Sequence, residues 1–390
     1  MRPPRDQLVS LACAALAPAA ALGAVLASQN GSLHPSALVK ISDQDPIAGY
    51  ATAGDPHFHL VNLAQHYDGT YYYAVARDPF LVGHAHTLID QPAYRYGHPL
   101  HGWLAGILSG GQARAVPLAL LLLGLLGMAI AGWAISRLAV HYGRTPWAGL
   151  LPAVSPGILY STTVDTTEAL GAGLLALTFL AWIRCRYLLA AVLIVMVCLD
   201  KEQYVVVPVG LALWELVEGA RHRRLPGQLP AKALAVVLGP AVLAGWYVYV
   251  DGQLDSWPWS YEPGNFGAPF LGWRDAFRIA HDLTGGTFDQ AQIGNLTPVV
   301  LVAIAALVLV ALIAALRLQT ALDLPMIGLA VITSMQGWRT LLYPHELFRT
   351  TAIAVLFAIA VLFTRSRSSP RATDDADTAS VASGPCLDTP

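Results

Sequence analysis

Long apolar runs separated by short polar segments dominate the pattern of this chain. A transmembrane helix needs about 20 apolar residues, so runs that approach this length predict membrane spans. The first run is longer than the apolar part of a secretory signal peptide, and we expect an uncleaved helix although Ala27 and Ser28 could form a cleavage site. The pattern predicts about ten spans, several of them short, at 8–28, 115–135, 147–160, 169–183, 187–199, 204–217, 233–250, 296–316, 324–342 and 350–363.

The polar segments between these runs predict an orientation. Cytoplasmic loops of membrane proteins carry an excess of Lys and Arg. This rule places both termini in the cytoplasm and makes 29–98 and 251–295 outer loops, while the apolar run 99–109 is too short to span and is expected to dip into the interface. The basic residues that support this orientation are Arg2, Arg5, Arg137, Arg144, Arg184, Arg186, Arg221, Arg223, Arg224, Lys232, Arg317, Arg365, Arg367 and Arg371.

The composition supports a single membrane domain. Of the 390 residues, 55% are hydrophobic and 12% are charged, with a mean hydropathy of +0.52, whereas soluble proteins carry roughly a quarter charged residues. The net charge of −2 excludes the basic excess of a nucleic-acid-binding protein. The sequence therefore predicts an all-α polytopic domain over 1–365 and a disordered cytoplasmic tail over 366–390, which is rich in Ser, Asp, Thr, Ala and Pro.

Ionisable residues near the ends of the predicted spans gather on one side. Such residues are costly beside a membrane and are candidates for function. The predicted topology brings four stretches with acids and bases to the outer face, which predicts an active site there. The stretches contain Asp68, Asp90 and Arg95; Asp165 and Glu168; Asp200, Lys201 and Glu202; and Arg339, His345, Glu346 and Arg349.

Each stretch also has a structural interpretation. The segment 165–168 equally predicts a helix start, with a Thr or Asp cap and Glu168 beside the helix dipole. The segment 200–202 is either a solvated loop or a buried ion pair that could contact an anion. Arg339 and Arg349 could anchor helices at the interface.

The run YDGTYYY at 67–73 also allows two interpretations. It could be an interfacial amphipathic helix with its tyrosines at the depth of the lipid headgroups. It could instead hold Asp68 at the membrane surface as a general base, which would remove a proton from a hydroxyl that attacks a sugar.

Histidines and tryptophans suggest two further features. Histidine pairs at 57/59 and 84/86 leave a divalent metal open, although no spacing matches a zinc signature, and no metal ligand is assigned. Trp257, Trp259 and Tyr261 are typical of an aromatic belt and could alternatively stack on a sugar or a lipid.

Three segments resemble motifs of bacterial multi-pass glycosyltransferases of the GT-C type. In that family the pattern Tyr-Asp-Gly-Gln-Phe-Tyr-Tyr precedes an apolar helix and Asp-Pro-Phe, and here 67–80 reads YDGTYYYAVARDPF. The segment 90–99, DQPAYRYGHP, is similar to the family's Pro-Ala-Tyr-Arg-Tyr segment, and 200–202 is similar to its Lys/Arg-Glu pair at an outer helix end. The resemblance is strongest over 60–110. Thr-Tyr replaces Gln-Phe at 70–71, Gly-His replaces a more basic pair at 97–98, and Asp78 is the candidate for a second acid.

The resemblance implies a GT-C-like fold whose large first outer loop carries amphipathic helices and a catalytic acid. It implies a mannosyltransferase-like enzyme of the bacterial cytoplasmic membrane that transfers a sugar, with inversion, from a polyprenyl-phosphate donor to a glycan or lipid acceptor of the cell envelope. Carried over by motif, Asp68 is the candidate base, Arg95 and Lys201 are candidates for the donor phosphate, and Glu202 is a structural or acceptor contact. The other candidate substrate contacts are Tyr67, Tyr72, Arg339, His345 and Arg349.

Two alternatives to an enzyme remain at this point. A transporter or flippase for a lipid-linked sugar would place ionisable residues at the membrane midplane and would show repeats, whereas the charges here lie at helix ends and no repeat is evident. A non-catalytic membrane subunit would use the two outer loops to bind a partner protein.

Overall fold

The computed structural model describes residues 5–223, 228–259, 265–284 and 287–364, which are almost entirely helical and are connected by short loops. The α-helices in these ranges are α1 (Arg5–Ser28), α2 (Pro35–Val39), α3 (Ala48–Gly54), α4 (Gly69–Arg77), α5 (Pro92–Arg95), α6 (Leu100–Leu108), α7 (Val116–His141), α8 (Pro156–Thr163), α9 (Glu168–Ile183), α10 (Tyr187–Asp200), α11 (Val206–His222), α12 (Leu229–Leu254), α13 (Leu271–Asp282), α14 (Phe288–Ala315), α15 (Asp323–Ser334), α16 (Trp338–Leu342) and α17 (Pro344–Thr364). The predicted all-α fold class is confirmed. The predicted tail at 366–390 lies outside the described residues.

Within the described ranges, five helices are long and apolar enough to cross a bilayer. Three shorter apolar helices accompany them. The long ones are α1, α7 with the preceding turn, α12, α14 and α17, and the shorter ones are α9, α10 and α15. The chain is therefore a polytopic integral membrane protein, as predicted.

The span predicted at 147–160 is wrong. The chain there forms two short 3-10 segments, Pro146–Leu150 and Pro152–Val154, followed by α8. A proline has no N–H for the helical ladder and is compatible only with the first turn, so each proline in this run begins a new segment. The bent segment packs against α1 and α7.

The span predicted at 324–342 is also interrupted. Helix α15 ends at Ser334, and Gln336 then pairs with Phe266 of the second outer loop in an isolated β-bridge. The short helix α16 starts after Gly337. This break brings the outer loop against the ends of the helices.

Helix α7 is the centre of the helical bundle and packs between α1 and α9. Glycines permit this close approach: a Cβ on Gly173 would lie 2.6 Å from the carbonyl oxygen of Gly127. Membrane helices associate through such small residues, because the lipid supplies no hydrophobic force between helices.

The charged residues divide between the two ends of the bundle. At the end predicted to be cytoplasmic, Arg144 donates to the carbonyl of Phe363 at 2.6 Å, and Arg221 donates to that of Leu318 at 2.6 Å. Lys232 pairs with Glu215 at 2.7 Å at the same end. The acids and bases predicted to face outward lie at the opposite helix ends, described below.

The first outer segment has an apolar core of its own above α6 and α7, formed by residues such as Ile41, Ile47, Phe58 and Tyr73. All residues of α4 from Gly69 to Ala76 are buried, because α4 packs on α6. The alternative of an interfacial helix with its tyrosines among lipid headgroups is therefore wrong.

The second outer loop is shorter than predicted, because α12 continues to Leu254 and α14 begins at Phe288. It contains α13, which packs on α14 and α16. The rings of Trp257 and Trp259 stack on each other with centroids 4.4 Å apart. Tyr261 lies outside the described residues.

Replacing Gly173 with leucine should destabilise the bundle, because the added side chain meets the backbone of α7, which cannot move aside. We expect the free energy of unfolding to fall by about 1–3 kcal/mol or more, measured as a lower thermal midpoint in detergent. Gly245→Leu on α12 is the matched control, because a Cβ there meets nothing within 4 Å. Equal midpoints for the two variants would contradict the close α7–α9 contact.

Candidate functional site

A cavity of about 630 Å³ opens at the predicted outer ends of the helices. Segments from α4, α5, α16, α17 and the turn after α10 form its walls. It is lined by the residues that the sequence analysis assigned as the candidate base and substrate contacts: Tyr67, Asp68, Tyr72, Arg95, Lys201, Glu202, Arg339, His345 and Arg349. The structure thus brings these residues together, and their individual roles stay predictions.

Asp68 immediately precedes α4 and projects into the cavity. Its side chain makes no capping hydrogen bond to the helix, so the carboxylate reaches across to Arg95 at 3.4 Å and to Arg349 at 2.9 Å. The next residue must be small, because a Cβ on Gly69 would lie 2.7 Å from the carbonyl oxygens of Val39 and Val164. The Asp68 side chain stays 33% exposed and therefore remains open to a ligand.

Arg349, on the second turn of α17, connects three carboxylates. Its guanidinium lies 2.9 Å from Asp68, 3.2 Å from Glu168 and 2.8 Å from Glu346. It also lies over the ring of Tyr67, 5.0 Å from the centroid. Its side chain is only 9% exposed, so the ion pairs are shielded from water.

Glu168 begins α9, which confirms the predicted helix start. It is buried and accepts a hydrogen bond from Lys201 at 2.7 Å in addition to its contact with Arg349. The capping interpretation is wrong, because the Thr167 hydroxyl donates to the Asp200 carboxylate and not to the backbone of its own helix. Because Lys201 pairs with the buried Glu168 and Asp200 accepts a hydrogen bond from Thr167, the segment 200–202 is an ion-paired turn and not a solvated loop.

Arg95 lies on α5, a single turn that begins at Pro92. Its guanidinium stacks 3.5 Å from the centroid of the Tyr71 ring and approaches Asp90 at 3.5 Å. These contacts, with Asp68, fix the planar group on the cavity wall.

The charge state of Asp68 follows from its neighbours. Burial raises the pKa of its carboxyl, but Arg349 and Arg95 lower it more, and the net shift is below the ordinary value of 3.8. Asp68 is therefore ionised at neutral pH. Its ion pairs contribute stability there, and the contribution is lost as the pH falls through the lowered pKa.

Glu202 lines the cavity beside His98, with Oε2 and Nδ1 3.4 Å apart. Burial raises the pKa of Glu202, whereas His98 and Lys201 lower it to below its ordinary value. His345 packs on the ring of Tyr160, and Arg339 lies 5.7 Å from the ring centroid of Trp338.

The sequence analysis did not assign several residues that line the cavity. Among them, His66 is the residue best able to take part in chemistry. Its Nδ1 lies 2.7 Å from Asp45, and its Nε2 lies 3.3 Å from the Tyr71 hydroxyl. The available signal was its position two residues before Asp68, but the partner Asp45 lies 21 residues away and could not be inferred from spacing.

Asp78, the candidate for a second acid, does not line the cavity. It is buried, accepts hydrogen bonds from the N–H groups of Val82 and Gly83, and lies 2.6 Å from Nδ1 of His86. This pattern fixes the loop after α4, so its role is structural.

The histidine pairs that raised the question of a metal do not converge. His57 is exposed, and His59 stacks on His34. Among the described residues, no group of three or more His, Cys, Asp or Glu side chains is arranged to hold a metal ion.

Comparisons with known proteins give a similar solved structure. No protein-family model matches the chain, and no curated protein matches its sequence. Among solved structures, the chain is similar to ArnT from Cupriavidus metallidurans in the apo state, with 18% sequence identity and a TM-score of 0.43, over 76% of this chain and 54% of that one. The chain thus spans about half the length of that structure.

Cysteine labelling can test whether the cavity faces outward. In a chain without its native cysteines, single cysteines at Ala64, Gln203 and Tyr343, which line the cavity, should react with a membrane-impermeant maleimide in intact cells. A cysteine at His141, at the opposite end of α7, should react only after the membrane is opened. Labelling of His141→Cys together with the cavity positions would contradict the single outer site.

Arg349 should be critical for stability. Breaking a buried ion pair leaves an uncompensated charge and costs about 3–5 kcal/mol, so we expect Arg349→Gln to reduce the free energy of unfolding by this amount, measured by thermal unfolding in detergent. Arg274→Gln is the control, because Arg274 is 71% exposed beside Asp275, and exposed pairs contribute at most about 1 kcal/mol. Similar losses in both variants would refute the central role of Arg349.

Proposed function

We propose that this protein is a membrane glycosyltransferase that moves a sugar from a polyprenyl-phosphate donor to an acceptor hydroxyl of the cell envelope, with inversion at the anomeric carbon. The observation that carries the proposal is the placement of Asp68 between Arg95 and Arg349 on the wall of one cavity, with Lys201 lining the same cavity. The motif resemblance at 67–80 and 90–99 supports the same assignment.

In the proposed reaction, the cationic side chains bind the phosphate of the donor. Arginine binds phosphate through two parallel hydrogen bonds, whereas lysine acts as a compact point charge. Arg95, Arg349 and Lys201 each contact a carboxylate in the structure. A donor phosphate would therefore compete with these carboxylates for the same cations, which stabilise the charge that develops on the departing phosphate.

In the proposed reaction, Asp68 activates the acceptor hydroxyl. Its ionised carboxylate can accept a hydrogen bond from the acceptor hydroxyl and take its proton as the oxygen attacks the anomeric carbon. A phosphate that draws Arg349 or Arg95 away from Asp68 would make the carboxylate a stronger base. Donor binding and base activation are thus coupled in this proposal.

The dimensions of the cavity fit a sugar and its phosphate. Small-molecule sites measure roughly 300–1,000 Å³, and the cavity of about 630 Å³ lies in this range. A polyprenyl tail is far too long for it and would lie along lipid-facing apolar side chains of the spanning helices. Aromatic rings on the walls, including Tyr72 and Tyr94, can pack against the sugar.

Replacing Asp68 with asparagine tests the proposal. In membranes that contain the full chain, supplied with a panel of radiolabelled polyprenyl-phosphate sugars, we expect the native protein to transfer label and to release polyprenyl phosphate. Asp68→Asn keeps the size of the side chain but removes the base, so its rate should fall about 100-fold or more. The control is Asp43→Asn, because Asp43 is exposed and does not line the cavity.

Other outcomes would contradict the proposal. Near-normal transfer by Asp68→Asn would remove the catalytic assignment. Counterflow of intact donor across liposomes without chemistry would indicate a transporter. Inactivity of the purified chain, combined with loss of a bound partner protein when the outer loops are exchanged, would indicate a non-catalytic subunit.

A further inference from the structure

A chain of hydrogen-bonding groups on the cavity wall has no part in the mechanism above. The Asp45 carboxylate lies 2.7 Å from Nδ1 of His66, and Nε2 of His66 lies 3.3 Å from the Tyr71 hydroxyl. Asp45 is itself fixed by the backbone, because its Oδ2 accepts a hydrogen bond from the Ser42 N–H at 2.6 Å. The His66 ring is therefore held in one orientation by a carboxylate that is itself fixed by the backbone.

This orientation leaves one ring nitrogen for chemistry. Nδ1 faces Asp45, so Nε2 points to the side of the ring that approaches Tyr71. His66 lines the cavity, and its side chain is 28% exposed. A carboxylate on one nitrogen of a histidine fixes the tautomer and stabilises the protonated ring, which is the arrangement that acid–base histidines use.

The position of Tyr71 places His66 beside a phosphate-binding candidate. Nε2 of His66 approaches the hydroxyl of Tyr71, while the guanidinium of Arg95 lies 3.5 Å above the centre of the same ring. A phosphate held by Arg95 would thus arrive on the side of the cavity where His66 presents Nε2.

We propose that His66 is the general acid of the transfer, and that it protonates the departing lipid phosphate while Asp45 acts as its positioning residue. This inference rests on the proposed function and gives the leaving-group side a proton donor to match the base on the acceptor side. It uses a residue that neither the sequence motif nor the Asp68 assignment includes.

In the proposed step, one bond to the anomeric carbon forms as another breaks. The acceptor oxygen forms a bond to the anomeric carbon, the bond from that carbon to the phosphate oxygen breaks, and its electron pair stays on the phosphate. Asp68 takes the proton of the acceptor hydroxyl, and His66 Nε2 gives its proton to the phosphate oxygen. Water then carries the proton from Asp68 to His66, so the net movement is one proton from acceptor to lipid phosphate.

The charged and titratable groups around His66 define what a pH experiment would report. Asp45 faces it from the loop after α2, and Tyr71 faces it from α4. Asp90 and Arg95 lie beyond Tyr71, and Asp68 lies on the same cavity wall. Imidazole side chains commonly change charge between pH 5 and 8, where carboxylates and guanidiniums do not.

The experiment compares pH–rate profiles of the full-length native chain, His66→Gln and Asp45→Asn in membranes, with a radiolabelled polyprenyl-phosphate mannose or another accepted sugar. The native kcat should fall on the alkaline side of its profile, because a general acid acts only while it is protonated. His66→Gln should lower kcat about 100-fold with little change in KM, and the alkaline fall should disappear. Asp45→Asn should lower kcat less than His66→Gln, because the imidazole remains but is no longer held in one orientation.

Two further variants separate chemistry from folding. Added imidazole should restore part of the kcat of His66→Ala, which a structural loss would not allow. His59→Gln should keep the native profile, because His59 is exposed and stacks on His34 outside the cavity.

The outcomes for this inference and for the proposed function are distinguishable. A native chain that transfers sugar and an inactive Asp68→Asn variant, with a His66→Gln profile that keeps the native rate and alkaline fall, would overturn the role of His66 alone. Failure of imidazole to restore His66→Ala would also overturn it. A native chain that transfers no sugar would overturn the proposed function and this inference together.

Discussion

The arrangement of the cavity depends on one buried arginine. Arg349 comes from the last described helix, yet its guanidinium contacts Asp68 before α4 and Glu168 at the start of α9. Removing charges from water is costly unless each meets a partner. These segments therefore cannot separate without leaving an unpaired charge in a dry environment, and Lys201 adds a fourth segment through Glu168. The walls of the cavity and its charge pattern follow from this network.

In the proposed mechanism, the same network prepares the site for an anion. Its cations are already desolvated and held in fixed geometry by carboxylates, so the protein has met the cost of ordering them before a ligand arrives. A phosphate would exchange one anionic partner for another. The exchange acts directly on Asp68, whose proton affinity is low only while the guanidiniums contact it. Under the proposed function, the same few contacts would therefore control both the binding of the donor and the reactivity of Asp68 toward the acceptor.

Close backbone approach is the second requirement of the fold. Gly69 allows the start of α4 to lie against the carbonyls of Val39 and Val164, and Gly173 allows α9 to lie against α7. These contacts fix the positions of α4, which follows Asp68, and of α9, which begins with Glu168. The first outer segment has an apolar core of its own. This core supports the segment that contains Asp45 and the cavity-lining His66.

The sequence by itself determined the all-α polytopic class and the uneven placement of charges, and it predicted part of the set of side chains that meet in the cavity, without His66. Long apolar runs and scarce charges have few physical solutions in a membrane, and motif resemblance identified Asp68, Arg95 and Lys201. The sequence pattern did not determine the break at 147–160, where prolines end an apolar run that hydropathy alone counts as a span.

Only the tertiary structure decided which polar groups pair: Arg349 with Asp68 and Glu168, Thr167 with Asp200, and His66 with Asp45. These partners lie from 21 residues apart, for His66 and Asp45, to 281 residues apart, for Arg349 and Asp68, and their pairing depends on helix packing, which no local pattern encodes.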